Sequence, residues 1–168
     1  ILIITGAMET MIKTVAWVKK RPILKKTIMI LNQLITTITY IMYPLMIIKL
    51  YVADNPIIYV FVILPLVMFL LVSIFRNFYD AKRPYEIYEY EPIINKKSLG
   101  RSFPSRHVFS IFVIAMSFFN INEYMGVLFL IMGMVLAVCR VLGGVHFPKD
   151  VIVGALLGIV PWLIFWAL

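Results

Sequence analysis

The sequence predicts an all-α integral membrane protein: a helical bundle of about five transmembrane helices, preceded by an N-terminal amphipathic helix at the membrane interface. Hydrophobic residues make up 62% of the 168 residues and charged residues only 14%. A soluble domain is about half apolar and about a quarter charged, so this composition excludes a water-soluble globule. The apolar residues also fall in long stretches with few or no charges, long enough to supply spanning helices of ~20 residues.

The basic excess gives a net charge of +8. Such an excess is typical of proteins that bind nucleic acid, anionic lipid or a phosphate substrate. The chain has no motif of interleaved aromatic and basic residues, and we expect no nucleic-acid partner. Membrane lipids and a phosphate-bearing substrate remain as expected partners, and the sequence does not indicate an oligomeric state.

Residues 1–26 are predicted to form an interfacial amphipathic helix and a basic linker. Apolar residues recur at three- and four-residue steps between Ile4 and Val18, while Glu9 and Lys13 interrupt the stretch and make it unsuitable for spanning. Pro22 is expected to break the helix. A basic cluster surrounds it, consisting of Lys19, Lys20, Arg21, Lys25 and Lys26. The cluster suits anionic headgroups, and a solvated linker is the alternative.

Residues 27–168 are predicted to form one transmembrane domain. Its spans come from four stretches with few or no charges: Thr27–Ile48, Ile57–Phe75, Val108–Cys139 and Val151–Leu168. The third stretch is long enough for two helices, and we expect a tight turn between them at Asn120–Glu123. Five spans result, and their order places most of the charged residues at one end of the bundle.

Three polar clusters lie at helix ends on that side: Arg76–Pro84, Pro104–His107 and Arg140–Asp150. Taken singly, each has an ordinary structural explanation, such as an arginine that snorkels to the membrane surface. Together they assemble three arginines, two histidines and a carboxylate on one side of a membrane protein, where charged groups are costly unless they are paired or functional.

This set of side chains is typical of phosphate chemistry. Arginine binds phosphate oxygens in a bidentate manner and stays charged. Pro104-Ser105 is a plausible helix start, where free N–H groups favour an anion. Two histidines can divide the roles of nucleophile and proton donor, and a carboxylate four residues after a histidine can orient it. Pro148 predicts a helix whose first turn contains Asp150.

The three clusters resemble the motifs of the type 2 phosphatidic acid phosphatase (PAP2) superfamily, which are Lys-x6-Arg-Pro, Pro-Ser-Gly-His and Ser-Arg-x5-His-x3-Asp. The chain carries Arg76-x6-Arg83-Pro84, Pro104-Ser105-Arg106-His107 and Cys139-Arg140-x5-His146-x3-Asp150 in the same order. It departs at three positions, with Arg76 in place of lysine, Arg106 in place of glycine and Cys139 in place of serine. Arg106 and Lys82 are candidate headgroup contacts.

The resemblance implies a role for each matched residue. His146 attacks phosphorus and forms a phosphohistidine, Asp150 orients His146, and His107 protonates the leaving oxygen and then activates water. The phosphate-binding residues implied in the same way are Arg76, Arg83, Arg140 and Ser105. No cofactor and no metal are expected, because arginines supply the positive charge.

The function expected from the resemblance is that of a metal-independent membrane lipid phosphatase. Its substrate would be a lipid phosphate monoester or diphosphate, of the phosphatidic acid, phosphatidylglycerol phosphate, undecaprenyl diphosphate or lipid A phosphate kind. The vanadate-dependent haloperoxidases have a similar pocket but are soluble, and the spans argue against them. The alternative of another class is a non-catalytic lipid-phosphate-binding or transport-associated membrane protein that retains the pocket.

Two arguments about orientation conflict. Of the sixteen Lys and Arg residues, only Lys49 lies at the end away from the clusters, and the positive-inside rule would then place the site in the cytoplasm. The resemblance implies the outer face of a bacterial cytoplasmic membrane. We expect the second arrangement.

Overall fold

The apolar stretches fold as α-helices packed side by side in the computed structural model, which describes residues 2–95 and 99–168, with side chains from residue 9 onward. The described part contains only helices and connecting segments: α1 (Leu2–Lys19), α2 (Pro22–Val52), α3 (Ile57–Tyr79), α4 (Pro84–Ile87), α5 (Arg106–Phe119), α6 (Glu123–Leu142) and α7 (Pro148–Ala167). The predicted all-helical membrane bundle is therefore confirmed.

Among the described residues, four helices are long and apolar enough to cross a membrane, namely α2, α3, α6 and α7. The fifth predicted span, α5, has only 14 residues and would cover about 21 Å at 1.5 Å per residue, less than the ~30 Å hydrocarbon core. Most of its side chains are buried, from Val108 to Phe118, because the other helices surround it. The predicted turn between α5 and α6 is present, and Asn122 caps α6 by accepting a hydrogen bond from Met125 N at 3.0 Å.

Helix α2 begins at Pro22, five residues before the predicted start of the first span. Proline is well tolerated in the first turn of a helix because its missing N–H has no partner there in any case. Lys25 and Lys26 therefore lie on α2, and only residues 20 and 21 separate it from α1. Helix α3 likewise extends past Phe75, so Arg76 is part of its last turn.

Helix α1 is amphipathic, as predicted, and its apolar face is covered by the protein. Val15 and Val18 are buried in a small core together with Ile93, Cys139 and Val145. The polar face carries an exposed ion pair in which Lys13 Nζ lies 2.7 Å from Glu9 Oε1. The helix thus packs beside the end of the bundle that holds the polar clusters, and its placement at a membrane interface stays a prediction.

Helix α5 lies at the centre of the bundle and packs most closely against α6 and α7. Two glycines of α7 permit this approach, since a Cβ atom at Gly154 would lie 2.7 Å from the Ser105 carbonyl oxygen and one at Gly158 would lie 2.7 Å from Val113 N. The backbone N–H of Ser105 donates to the Asp150 carbonyl at 2.9 Å. The starts of α5 and α7, which carry two of the polar clusters, are therefore held together.

Candidate active site

His146 and Asp150 meet at the beginning of α7, as the sequence predicted. Pro148 opens the helix and Asp150 lies in its first turn. Asp150 Oδ2 accepts a hydrogen bond from Phe147 N at 3.1 Å and lies 3.4 Å from His146 Nδ1. Both side chains are fully buried. The carboxylate is thus fixed by the helix start and faces the Nδ1 side of the imidazole.

Ser102 completes this arrangement from a distant segment. Its Oγ donates to Asp150 Oδ2 at 2.5 Å and lies 3.4 Å from His146 Nδ1. A carboxylate only accepts hydrogen bonds, so the hydroxyl hydrogen is used on Asp150, and the hydroxyl oxygen accepts from His146. Both neighbours of Nδ1 are therefore acceptors, which places the proton of the neutral ring on Nδ1 and leaves the lone pair on Nε2.

His146 lines a polar cavity of about 340 Å³ at this end of the bundle. The cavity collects residues from the ends of α3 and α5, from the loop before α5 and from the loop before α7. Its charged and titratable lining residues are Arg76, Asp80, Arg83, Arg101, Arg106, His107 and His146. Four guanidinium groups against one carboxylate make the cavity strongly positive, which suits a small multivalent anion.

Arg76 and Arg83 are held by the loop that precedes α5. Arg76 donates to the carbonyl oxygens of Ser102, Pro104 and Arg101. Arg83 donates through Nε to Gly100 O at 3.0 Å and through Nη1 to Val145 O at 3.3 Å. Both arginines are buried, so neutral carbonyl dipoles fix their positions.

Arg140 on α6 is held by side chains of α2 and α5. Its Nη1 donates to Asn32 Oδ1 on α2 at 3.1 Å, and its Nη2 lies 3.2 Å from His107 Nδ1. A guanidinium has only donors, so Nδ1 of His107 is the acceptor here. Arg140 is not among the residues that line the cavity of His146. It lines a second cavity of about 390 Å³ with Asn32 and Asn95, and His107 lines both cavities.

The buried arginines form no direct ion pair with a carboxylate of the described residues. Within the described residues, no carboxylate oxygen comes within 4.0 Å of a nitrogen of Arg76, Arg83 or Arg140. Buried charges are normally paired, so three buried guanidinium groups bonded only to neutral acceptors form a site prepared for an anion.

Two loops beside His146 are tied together by Tyr90 and Gly144. The Tyr90 hydroxyl donates to the Gly144 carbonyl at 2.9 Å, and burial raises the pKa of Tyr90, which keeps the phenol protonated as a donor. Gly144 has φ +75°, and a Cβ atom there would lie 2.9 Å from Tyr90 Cε2. Glycine at this position therefore allows the close contact that holds the segment before His146.

The remaining predicted site residues differ in their placement. Arg106 is the first residue of α5 and lines the polar cavity, with its Cζ 5.7 Å from the centre of the Phe69 ring. Lys82 is exposed and is not among the residues that line the cavity. Ser105 is fully buried at the N-cap of α5, its hydroxyl has no partner within the described chain, and its N–H is used by Asp150.

Sequence reasoning missed Ser102 and Asn32, each of which contacts a predicted site residue. Ser102 lies outside the three motifs, and no spacing singles it out. A signal for Asn32 was present, because Asn32-Gln33 is the one amide pair in the uncharged stretch from Thr27 to Ile48. Polar side chains inside a span are costly unless they find a partner, and Arg140 is that partner.

The sequence and the fold were compared with known proteins. The family model of the PAP2 superfamily matches residues 55–168 of the chain. A curated relative, the bacitracin transport permease protein BcrC of Bacillus licheniformis, is 35% identical over an alignment of 86 residues that covers 49% of this chain. The matched region is 42% of that protein, so this chain spans less than half the length of the curated relative.

Two solved structures are similar in fold. The crystal structure of Aquifex aeolicus LpxE superposes with a TM-score of 0.71 at 25% identity, covering 88% of each chain. The first transmembrane PAP2-type phosphatidylglycerolphosphate phosphatase from Bacillus subtilis gives a TM-score of 0.58 at 19% identity, covering 97% of this chain and 94% of that one. The second similarity is one of fold alone.

Proposed function

The chain belongs to the PAP2 superfamily, and on that premise we propose that it is a membrane lipid phosphatase that acts through a phosphohistidine on His146. One observation carries the proposal: buried His146, oriented by Asp150 and Ser102, lines a cavity that also contains four arginines and His107. A nucleophile, a proton-transfer group and fixed positive charge are the components that phosphoryl transfer requires.

The first step in this proposal is attack by His146. Nδ1–H is held by Asp150 and Ser102, so Nε2 carries the lone pair that attacks phosphorus. As the N–P bond forms, the bond between phosphorus and the leaving oxygen breaks. Asp150 stabilises the charge that develops on the imidazole, in the way a carboxylate does in a catalytic triad.

His107 transfers the protons. Its imidazolium form gives a proton to the leaving oxygen, and the neutral ring then takes a proton from the water that hydrolyses the phosphohistidine. The imidazolium carries hydrogen on both nitrogens, so Nη2 of Arg140 turns from Nδ1 to another acceptor in that step. A phosphate oxygen is such an acceptor.

The arginines supply the charge stabilisation. Arg76 and Arg83 are fixed by backbone carbonyls and keep their full charge in the cavity. Preorganised donors of this kind stabilise the charge that develops on the transferred phosphoryl oxygens. We therefore propose that the reaction is metal-independent.

The lipid nature of the substrate is supported by an apolar cavity of about 280 Å³ between α2, α3 and α5, lined by residues such as Tyr43, Leu66 and Phe69. A narrow space lined by His107, Tyr40 and Ser110 adjoins it, and Tyr40 and Ser110 line the apolar cavity too. A hydrocarbon chain in this groove would leave its phosphate near His107.

We propose that the protein lies in the bacterial cytoplasmic membrane with the site on the outer face.

The test is phosphate release by the purified protein in detergent from phosphatidic acid, phosphatidylglycerol phosphate, undecaprenyl diphosphate and a lipid A phosphate. We expect turnover of at least one, and a radiolabelled phosphoprotein that is stable in alkali and labile in acid, as expected of a P–N bond. His146→Ala is the matched control and should form neither product nor phosphoprotein. Turnover without labelling of His146 would contradict the phosphohistidine mechanism.

A second candidate function is favoured by the similarity to a protein named as a transport permease. In this alternative the chain binds a lipid phosphate without hydrolysing it and takes part in transport. Stabilisation of the protein by inorganic phosphate, together with no phosphate release from any of the four lipids, would support this candidate over the phosphatase.

A further inference from the structure

Arg140 lies on α6 and contacts His107, which lines the cavity of His146. Arg140 is 2% exposed, and its side chain also donates to Asn32 on α2. Asn32 lies outside the three motifs and outside the region matched by the family model, which begins at residue 55.

We propose that Asn32 is a positioning residue for Arg140, one that fixes the guanidinium through a neutral acceptor and so leaves its charge available to phosphate. This inference rests on the proposed function. The atom of Asn32 that faces Arg140 is its amide oxygen, because a guanidinium offers only donors. The two are 108 positions apart in sequence, and the bond therefore joins the first span to the third motif.

The three nitrogens of the Arg140 guanidinium differ in their hydrogen-bond partners, and the difference fits this role. Nη1 is held by Asn32, Nη2 contacts His107, and Nε has no hydrogen-bond partner in the described part of the chain. With Nη1 as the fixed point, Nη2 and Nε are two neighbouring donors of the kind that bind a phosphate in a bidentate manner. A buried donor without a partner is costly, and a phosphate oxygen would satisfy it.

The acceptor at position 32 must be neutral as well as correctly placed. A carboxylate at position 32 would also hold Arg140, but it would pair with the charge and compete with phosphate for the guanidinium. An amide holds the group without competing. Asn32→Asp and Asn32→Leu should therefore fail in different ways, the first by cancelling the charge and the second by releasing the side chain.

The experiment compares Asn32→Leu, Asn32→Gln and Asn32→Asp with the wild type. Thr37→Val is the matched control, because Thr37 is an exposed polar residue of α2 that lines neither polar cavity and whose Oγ1 lies 3.4 Å from Gln33 Nε2. The readouts are kcat and KM with p-nitrophenyl phosphate and with the best lipid substrate, and the rise in unfolding temperature on adding inorganic phosphate. The rise in unfolding temperature with phosphate can be measured without turnover. An inactive wild type would therefore contradict the proposed function, and this rise would still test the role of Asn32.

We expect Asn32→Leu to lower kcat about tenfold or more, since misplacement of a charge-stabilising group by about 1 Å is sufficient for that. Asn32→Gln should recover part of the loss. Asn32→Asp should chiefly raise KM and abolish stabilisation by phosphate, while Thr37→Val should behave as wild type. Wild-type kcat, KM and phosphate stabilisation in Asn32→Leu and Asn32→Asp would overturn the inference, and so would equal losses in all four variants. If Asn32→Leu does not fold, the inference is tested by comparing Asn32→Gln with Asn32→Asp in KM and in stabilisation by phosphate.

Discussion

The carboxylate of Asp150 lies 3.4 Å from Nδ1 of His146, and one oxygen of that carboxylate serves the histidine, Ser102 and the backbone of Phe147 together. The other oxygen, Oδ1, is buried and has no partner among the described residues. Oδ2 therefore makes the hydrogen bonds of Asp150, and its contact with Nδ1 leaves Nε2 as the ring nitrogen that the proposed mechanism uses.

Asp150→Asn should lower kcat for phosphate release by about a hundredfold or more, because an amide can donate to Nδ1 and favour the wrong tautomer. Ser102→Ala should cost less, roughly tenfold, as one hydrogen bond to a charged group is lost. Both effects are measured with detergent-purified protein whose unfolding temperature is recorded alongside. Equal rates in Asp150→Asn and the wild type would contradict the assigned orientation of His146.

His146→Ala and His107→Ala should differ in their dependence on the leaving group. Loss of the nucleophile should abolish turnover of every substrate. Loss of the proton donor should be severe with lipid phosphates and milder with p-nitrophenyl phosphate, whose leaving group departs without protonation. The measurement is the ratio of the two rates in each variant. A p-nitrophenyl phosphate rate near wild type in His146→Ala would refute its role as nucleophile.

Orthovanadate should inhibit the enzyme, whereas a metal chelator should not. EDTA should leave phosphate release unchanged, because the proposed charge stabilisation comes from Arg76, Arg83 and Arg140. Orthovanadate should inhibit competitively, since it resembles the transferred phosphoryl group in the transition state. Activity lost on chelation and restored by magnesium would indicate a metal-dependent phosphatase instead.

Arg106→Gly restores the residue that the resemblance leads one to expect before His107. Arg106 lines the polar cavity and is exposed at the start of α5, where its guanidinium can contact a headgroup. We expect the variant to change the ranking of lipid phosphates while its rate on p-nitrophenyl phosphate changes less than threefold or so. Lys82→Ala tests the other candidate headgroup contact, and an unchanged ranking in both variants would discard the headgroup role.

The side of the membrane on which the site lies is tested with single cysteines in a Cys139→Ser background. Leu99 is 74% exposed near the polar cavity, and Tyr124 is 78% exposed at the opposite end of the bundle. In intact cells, an impermeant thiol reagent should label Leu99→Cys and spare Tyr124→Cys, and permeabilised cells should show both labelled. The reverse pattern in intact cells would place the site in the cytoplasm, as the distribution of Lys and Arg suggests.

The sequence by itself determined the membrane class, four of the five predicted spans and the residues of the three clusters. Hydropathy and the residues that start and end helices are local properties of the sequence. They therefore predicted Pro148 and Asp150 in the first turn of α7, and they predicted the turn between α5 and α6. The spacing of His146 and Asp150 also fixed their proximity, because residues four apart share a helix face or its entrance.

Only the tertiary structure decided how the arginines are held and how short the central helix is. Ser102 reaches Asp150 across 48 positions and Asn32 reaches Arg140 across 108, separations at which no periodicity carries information. Helix α5 has only 14 residues and packs among the surrounding helices, so it need not cover the full hydrocarbon thickness itself. Charge placement inside a bundle depends on which neutral oxygens the packing brings near, and that is a property of the fold.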